Sequence, residues 1–146
     1  MKLAPLALLC CVALFAAADK PARRYINRPR PTMANLPFSE AVLAGDTLYV
    51  AGHIGVDPKS GQAPADLNQE LTILFDELDG VLKEGGMTMD DLVQVTVFCP
   101  DLSLYDRFNA AYRARFKKEF PARAFIGSGP LLRGGHFEML GIAVKR

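Results

Sequence analysis

Two charged side chains lie inside apolar, strand-like stretches near the C-terminus of this 146-residue chain. Arg123 belongs to the stretch ARAFIGS, and Glu138 belongs to the stretch FEMLGIAV. Side chains of a strand alternate between its two faces, so Arg123 shares a face with Phe125 and Glu138 shares one with aliphatic residues. A charge on an apolar face is costly unless it is paired or faces a site. We therefore expect Arg123 and Glu138 to lie close to each other or to one ligand.

These two side chains suit a small carboxylate and a water molecule. A guanidinium presents a planar fork that matches a carboxylate in a bidentate way. A glutamate nearby can hold or activate a water. Two interpretations remain open, namely a ligand site and a structural ion pair between neighbouring strands.

Other polar residues give weaker indications of chemistry. His53 alternates with Tyr49 and Ala51 and borders a cleft in one interpretation, although a lone histidine is more often structural. Asn109 lies on the inner half of an expected helix, either as a satisfied core amide or as a residue that reaches a site. Cys99 has no activating base beside it in the sequence. No Cys/His cluster has zinc spacing, so we expect no metal site.

Length and charge restrict the classes of function. The chain is long enough for one domain with a real core and too short for two. Its net charge of +1 gives no general electrostatic argument for binding nucleic acid or an anionic membrane.

The N-terminus has the pattern of a secretory signal peptide over residues 1–18. One lysine precedes a short apolar run that ends in three alanines. The run is short for a transmembrane helix, and an uncleaved anchor is the alternative. We expect export to the periplasm or beyond, with no stable membrane association after cleavage. Residues 19–34 would form an extended leader with solvated arginines and a short edge strand near Tyr25 and Ile26.

Periodicity then predicts the elements that position the candidate residues. Apolar residues recur at three- and four-residue steps in two segments, and β-prone runs alternate in five others. The order β-β-α-β-α-β-β predicts an α+β fold with both helices on one face of the sheet. The expected strands are 40–44, 47–54, 92–98, 122–128 and 137–144, and the expected helices are 66–84 and a second from Asp101 or Ser103 to about Lys118.

The motifs resemble those of the Rid (reactive intermediate deaminase) family, also called YjgF. The resemblance rests on FPARA at 120–124, followed after fourteen residues by Glu138 in FEMLGIAV. It extends to LPFSEAV at 36–42, LYVAGHI at 48–54 and FNAAY at 108–112. It covers about residues 35–146, which are expected to form one domain.

This resemblance implies a fold, an assembly and an activity. The fold is chorismate-mutase-like, with a mixed sheet and two helices on one face, assembled as a homotrimer with clefts between subunits. The activity is the hydrolysis of 2-imino acids to 2-oxo acids and ammonia, without metal or organic cofactor. Arg123 would bind the substrate carboxylate. Glu138 would position the water with the main-chain carbonyl of Phe125, and Gly52 and Asn109 would line the cleft.

Three positions depart from the family pattern. Phe38 replaces a tyrosine, Phe125 replaces a common cysteine, and His53 replaces a glutamine in the substrate-binding segments. These changes leave the substrate range open. They also favour an alternative function, a non-catalytic trimer that binds a small carboxylate or another metabolite in the same cleft. The sequence has no basic stripe of the kind with which a ribonuclease or another nucleic-acid-binding protein contacts nucleic acid.

Overall fold

The structure, a computed structural model, describes residues 22–29 and 36–146. The signal peptide expected over residues 1–18 lies outside these two ranges, and the leader expected over 19–34 is described only from 22 to 29. Within the described ranges, no helix combines the length and the hydropathy that crossing a membrane requires.

The predicted order of helices and strands is confirmed, with one further strand at the start. The six strands form one sheet in the order β1-β2-β3-β6-β4-β5. β4 and β5 are parallel, whereas the other neighbouring pairs are antiparallel, so the sheet is mixed as expected. The elements are β1 (Arg23–Ile26), β2 (Ala41–Ala44), β3 (Thr47–Ile54), α1 (Leu67–Glu84), β4 (Leu92–Cys99), α2 (Tyr105–Arg113), β5 (Ala122–Gly127) and β6 (Glu138–Val144).

Helix α1 forms where an apolar stripe follows a good N-cap. The side chain of Asp66 accepts a hydrogen bond from the main-chain nitrogen of Asn68, which satisfies one of the free donors at the start of the helix. Leu71, Leu74, Leu78 and Leu82 of the stripe are buried in the core. The helix ends at Glu84 with Gly85 as its C-cap, and the positive φ of Gly86 turns the chain away.

Helix α2 is shorter than the sequence predicts. It ends at Arg113 instead of continuing to about Lys118. Beyond it, Phe116 donates to the carbonyl of Arg113 in a tighter turn, and the main-chain nitrogen of Lys117 donates to the carboxylate of Asp90. The side chain of Asp90 thus takes a donor that a longer helix would use, and the chain leaves the helical path there.

The two faces of the sheet have different surroundings. Helices α1 and α2 cover one face, where Val95, Val97 and Met139 are fully buried. The opposite face, called the open face below, carries exposed apolar side chains that include Tyr49 and Ile126. No described element of the same chain covers it.

The N-terminal segment is more than a solvated leader. Strand β1 pairs with β2, as the expected edge strand near Tyr25 and Ile26 predicts. The expectation of a solvated arginine is wrong at Arg28, because its guanidinium binds Glu40 at 2.9 Å and Glu77 on α1 at 2.5 Å. These ion pairs fix the segment against the helix.

Candidate functional site

Arg123 lies on the edge strand β5 and points toward helix α2. The carbon of its guanidinium lies 4.6 Å from the ring centre of Tyr112, and the rings of Tyr105, Phe108 and Phe125 lie within 5.9 Å. Aromatic faces attract a cation at these distances. The apolar neighbours that the sequence predicts for Arg123 are therefore aromatic rings. They form a cage that stabilises its positive charge.

Asn109 orients this guanidinium. Nη2 of Arg123 donates a hydrogen bond to the side-chain oxygen of Asn109, with 2.7 Å between the two atoms, and Asn109 itself is buried. The nearby Tyr105 hydroxyl has its pKa lowered by a hydrogen bond with Asn109 and by the charge of Arg123. The amide of Asn109 therefore reaches a site instead of satisfying only the core.

The two residues line an open cavity of about 320 Å³ together with Tyr105, Tyr112, Phe120 and Pro121. Tyr112 is 3% exposed, and its hydroxyl has no hydrogen-bond partner among the described residues. Burial raises the pKa of Tyr112 to about 12, so the phenol stays protonated and available as a donor. Sequence reasoning missed Tyr105, Tyr112 and Phe120, because ring packing around Arg123 depends on how α2 crosses β5.

Glu138 is the first residue of β6 and lies on the open face of the sheet. Its side chain is half-buried, and this burial raises the pKa of the carboxyl group. A Cβ atom on Gly52 would lie only 2.0 Å from Oε1 of Glu138. The carboxylate thus lies directly against the main chain of Gly52, a position that only glycine permits.

A β-bulge brings Gly52 to this position. The register between β3 and β6 shifts between Val50 and His53, where two residues of β3 face one residue of β6. His53 follows the bulge, is buried, and has its Nδ1 2.8 Å from the carbonyl oxygen of Ala51. The ring is therefore fixed by the main chain beside the Glu138 site.

A second cavity of about 320 Å³ opens beside Glu138. Gly52, His53 and Phe38 lie in its wall, and Phe38 is half exposed. The cavity therefore gathers three of the residues expected to line a substrate cleft. The other lining residues are Leu36, Glu40, Ala51, Ile54, Val56, Leu132 and Arg133.

Glu70 of α1 holds the segment that leads into Glu138. Its carboxylate is fully buried and accepts hydrogen bonds from the main-chain nitrogens of His136 and Phe137, at 2.7 and 3.2 Å. The ring Nδ1 of His136 lies 2.7 Å from the other oxygen. Sequence reasoning missed Glu70, although its position four residues before Leu74 in the apolar stripe signals a buried carboxylate.

Arg123 and Glu138 lie on opposite faces of the sheet. Arg123 pairs with Val95 of β4, whereas Glu138 pairs with Phe98 of the same strand. Positions three residues apart in a strand point to opposite faces. Of the two interpretations left open by the sequence, the structural ion pair between neighbouring strands is therefore wrong, because β4 separates β5 from β6 and the sheet separates the side chains.

The expected site residues consequently fall into two groups. Asn109, Phe125 and Arg123 form the group called the arginine half-site. Glu138 and the residues of its cavity form the group called the glutamate half-site. A single ligand contacts both groups only if the arginine half-site of one copy faces the glutamate half-site of another.

The remaining candidates are structural. Cys99 is buried, its Sγ donates to the carbonyl of Asp101 at 3.0 Å, and burial raises the pKa of the thiol. Within residues 22–29 and 36–146, no three His, Cys, Asp or Glu side chains are grouped to hold a metal ion.

This chain is similar to known proteins both in sequence and in fold. The model of the endoribonuclease L-PSP family matches residues 26–145. The chain is 34% identical over 124 residues to the 2-iminobutanoate/2-iminopropanoate deaminase of Capra hircus, which covers 84% of this chain and 90% of that protein. Solved structures of the same fold include the YjgF gene product of E. coli, with a TM-score of 0.76 and 30% identity over 84% of this chain and 99% of that one. E. coli TdcF with bound serine matches with a TM-score of 0.77 and 25% identity, over 84% and 99% of the two chains.

Proposed function

This chain belongs to the endoribonuclease L-PSP family, also known as the Rid or YjgF family, and we propose that it hydrolyses 2-imino acids to 2-oxo acids and ammonia. The relative from Capra hircus carries the name of an imine deaminase. The observation that carries the proposal is the pair of half-sites. One presents a guanidinium in an aromatic cage, and the other presents a half-buried carboxylate with a raised pKa.

The substrate would be held by its carboxylate. Asn109 engages one Nη2 hydrogen of Arg123 and thereby fixes the plane of the guanidinium. The fork can then bind the substrate carboxylate in a bidentate way. The ring of Tyr112 lines the same cavity, 4.6 Å from the guanidinium carbon, and holds the charge of Arg123 in place.

Glu138 would act on water. Because burial raises its pKa, its carboxylate is a stronger base than an exposed glutamate. It accepts a proton from the attacking water as the carbon–oxygen bond forms, and passes that proton to the imine nitrogen, which gives a carbinolamine. It then takes the proton of the new hydroxyl group as the carbonyl forms and the carbon–nitrogen bond breaks, and delivers it to the departing nitrogen, so the products are ammonia and the 2-oxo acid. The carbonyl of Phe125 would help to hold the water, as the family resemblance implies.

The assembly we propose is a homotrimer in which each cleft joins half-sites from two copies. Opposite placement of Arg123 and Glu138 supports this arrangement, since one chain cannot bring both to a single small ligand. The open face supports it as well, because exposed apolar side chains on a sheet are typical of an interface. Tyr49, Ile126 and Val144 would be buried between copies.

The experiment uses imines generated in situ by an amino-acid oxidase and trapped by semicarbazide. The purified protein should divert the flux to 2-oxo acid, and Arg123→Ala should abolish the diversion. Arg107→Ala is the matched control, because this exposed arginine on α2 contacts Asn68 and lies outside both half-sites. Diversion that persists in Arg123→Ala, with both variants equally folded, would refute the role of Arg123.

A non-catalytic binding protein is the second candidate. Phe38, half exposed at the glutamate half-site, has no hydroxyl to donate to a reacting group, and Phe125 fills space where the family has a cysteine. The solved structure of TdcF with bound serine supports recognition of a small amino-acid-like carboxylate in this family. Binding of a 2-oxo acid that needs Arg123, without turnover of any imine, would favour this function.

We also propose export, because the signal-peptide pattern of residues 1–18 predicts it. Cell fractionation of the full chain would test the proposal. Recovery of the uncleaved protein in the cytoplasm alone would contradict it.

A further inference from the structure

We propose that the preferred substrate carries a bulky apolar side chain, of the size of those of leucine or phenylalanine. The proposal rests on the proposed function, since it concerns the cavity beside Glu138. It names the side chain that this cavity selects, which the family membership leaves open.

The wall of the cavity is largely hydrocarbon. Ile54 and Val56 form its floor, where Val56 is buried and Ile54 pairs with Glu138 across the strands. Phe38 and Leu132 stand at its rim, 52% and 77% exposed. Leu36 completes the lining. Exposed apolar side chains grouped around a concave site favour burial against an apolar ligand.

The polar side chains in the wall are already engaged. Glu40 is buried and binds the Nε and main-chain nitrogen of Arg28, both at 2.9 Å. The ring of His53 contacts the carbonyl of Ala51. The guanidinium of Arg133 donates to the carbonyl of Gly61 at 2.9 Å, which draws this charge toward the 57–64 loop. These contacts leave Glu138 as the carboxylate placed for the reaction.

The position of Glu138 indicates that the cavity receives the side chain of the substrate. The imine carbon must lie near the carboxylate that holds the water, and the carboxylate of the substrate must reach Arg123 of another copy. The third substituent on that carbon then points into the remaining space, the cavity beside Gly52 and Ile54. Its volume of about 320 Å³ is at the lower end of the roughly 300–1,000 Å³ of ligand pockets, which is ample for an isobutyl or benzyl group.

The test measures kcat/KM of the purified protein for four imines, which are derived from alanine, leucine, phenylalanine and glutamate. A single methylene in a hydrophobic pocket discriminates by roughly 10–200-fold, so kcat/KM for the leucine-derived imine should exceed that for alanine by at least about tenfold. The glutamate-derived imine should be a poorer substrate than the leucine-derived one, because its side-chain carboxylate would be buried against hydrocarbon. Equal kcat/KM values, or a preference for alanine or glutamate, would overturn the proposal while leaving the deaminase intact. Absence of turnover for all four would overturn the deaminase itself.

A variant links the preference to the cavity. Leu132→Lys places a charge at the rim, and the side chain is exposed enough that folding should be retained. The ratio of kcat/KM between leucine- and alanine-derived imines should fall by about tenfold. Leu102→Lys is the matched control, because Leu102 is likewise exposed and lies outside this cavity, so its ratio should match that of the parent. An unchanged ratio in Leu132→Lys would overturn the assignment of the cavity to the side chain.

Discussion

The carboxyl group of Glu138 should give the proposed activity a specific pH dependence. Burial raises its pKa above that of an ordinary glutamate, about 4.3. Only the ionised form accepts a proton from water, so activity should be full above the raised pKa and be lost as the pH falls through it. The rate of imine diversion from pH 8 downward, corrected with Arg123→Ala as the blank, checks this expectation. A loss that begins only below the ordinary glutamate range would contradict the role of Glu138 as base.

Gly52 should be essential for the geometry of Glu138. In Gly52→Ala, the new Cβ would lie 2.0 Å from Oε1 of Glu138, so the carboxylate must move by an ångström or more. A displacement of about 1 Å in a catalytic group costs on the order of 10²-fold in rate, and we expect a loss of that size in kcat. Gly129→Ala is the control, because nothing lies within 4 Å of its added Cβ. Equal kcat values for the two variants would show that Glu138 tolerates displacement.

Sequence predicts single residues well where their chemistry conflicts with their surroundings. Arg123 and Glu138 are detectable because each interrupts an apolar run. Glu70 is detectable in principle, but a glutamate near the start of a helix is common and gives little contrast. Tyr112 carries no such signal, since a tyrosine in an apolar stripe is ordinary and only the structure shows its hydroxyl without a partner among the described residues.

Helix α1 and strand β6 are coupled through Glu70. The Glu70→Gln variant keeps the shape but replaces the carboxylate by a neutral amide, so the main-chain nitrogens of His136 and Phe137 donate to a neutral oxygen. A hydrogen bond to a charged group contributes about 1.5–3 kcal/mol and one between neutral groups about 0.5–1.5 kcal/mol, so over the two bonds the free energy of unfolding should fall by about 1–3 kcal/mol. Because β6 begins directly after these residues, kcat should fall as well. Urea unfolding and the imine assay measure the two effects.

Asp79→Asn on the same helix is the control for Glu70→Gln. Its carboxylate forms an exposed pair with Lys83, and exposed pairs contribute little to stability. We expect both the free energy of unfolding and kcat to match the parent. If Glu70→Gln behaves like Asp79→Asn, the buried hydrogen bonds do not hold β6 in place.

The bounds of the elements follow from local patterns, except where a distant side chain intervenes. The N-cap Asp66 and the glycines after α1 lie in the local sequence, and the helix begins and ends as expected. The end of α2 depends on Asp90, which lies more than twenty residues away and captures the nitrogen of Lys117. A contact of this range has no signal in the hydrophobic period of the helix.

The order of strands in the sheet determines where the two charges go. Sequence alternation assigns each strand an apolar face but does not state which face of one strand matches which face of another. The parallel pairing of β4 with β5 puts Arg123 with Val95 on the helix-covered face. The antiparallel pairing of β4 with β6 puts Glu138 with Phe98 on the open face. A site that joins them is therefore a property of the assembly and cannot be predicted from one strand at a time.

Mixed assemblies test this arrangement directly. Arg123→Ala and Glu138→Gln should each be inactive alone, because every cleft then lacks either the guanidinium or the carboxylate. If each cleft takes its arginine from one copy and its glutamate from the next, co-expressed equal amounts of the two variants contain intact clefts. With random assembly, one half of the arginine half-sites and one half of the glutamate half-sites are intact, so about one quarter of the clefts should be active.

The control is to combine the two purified variants without exchange of subunits, where activity should stay at the background. Co-expressed material that regains about one quarter of the parent rate establishes that two copies contribute to each cleft. Co-expressed material as inactive as its parents, with the mixed composition verified by mass spectrometry, would place both catalytic groups in one chain. That outcome is incompatible with a sheet that separates Arg123 from Glu138, so it would require a rearrangement of β5 or β6 on assembly.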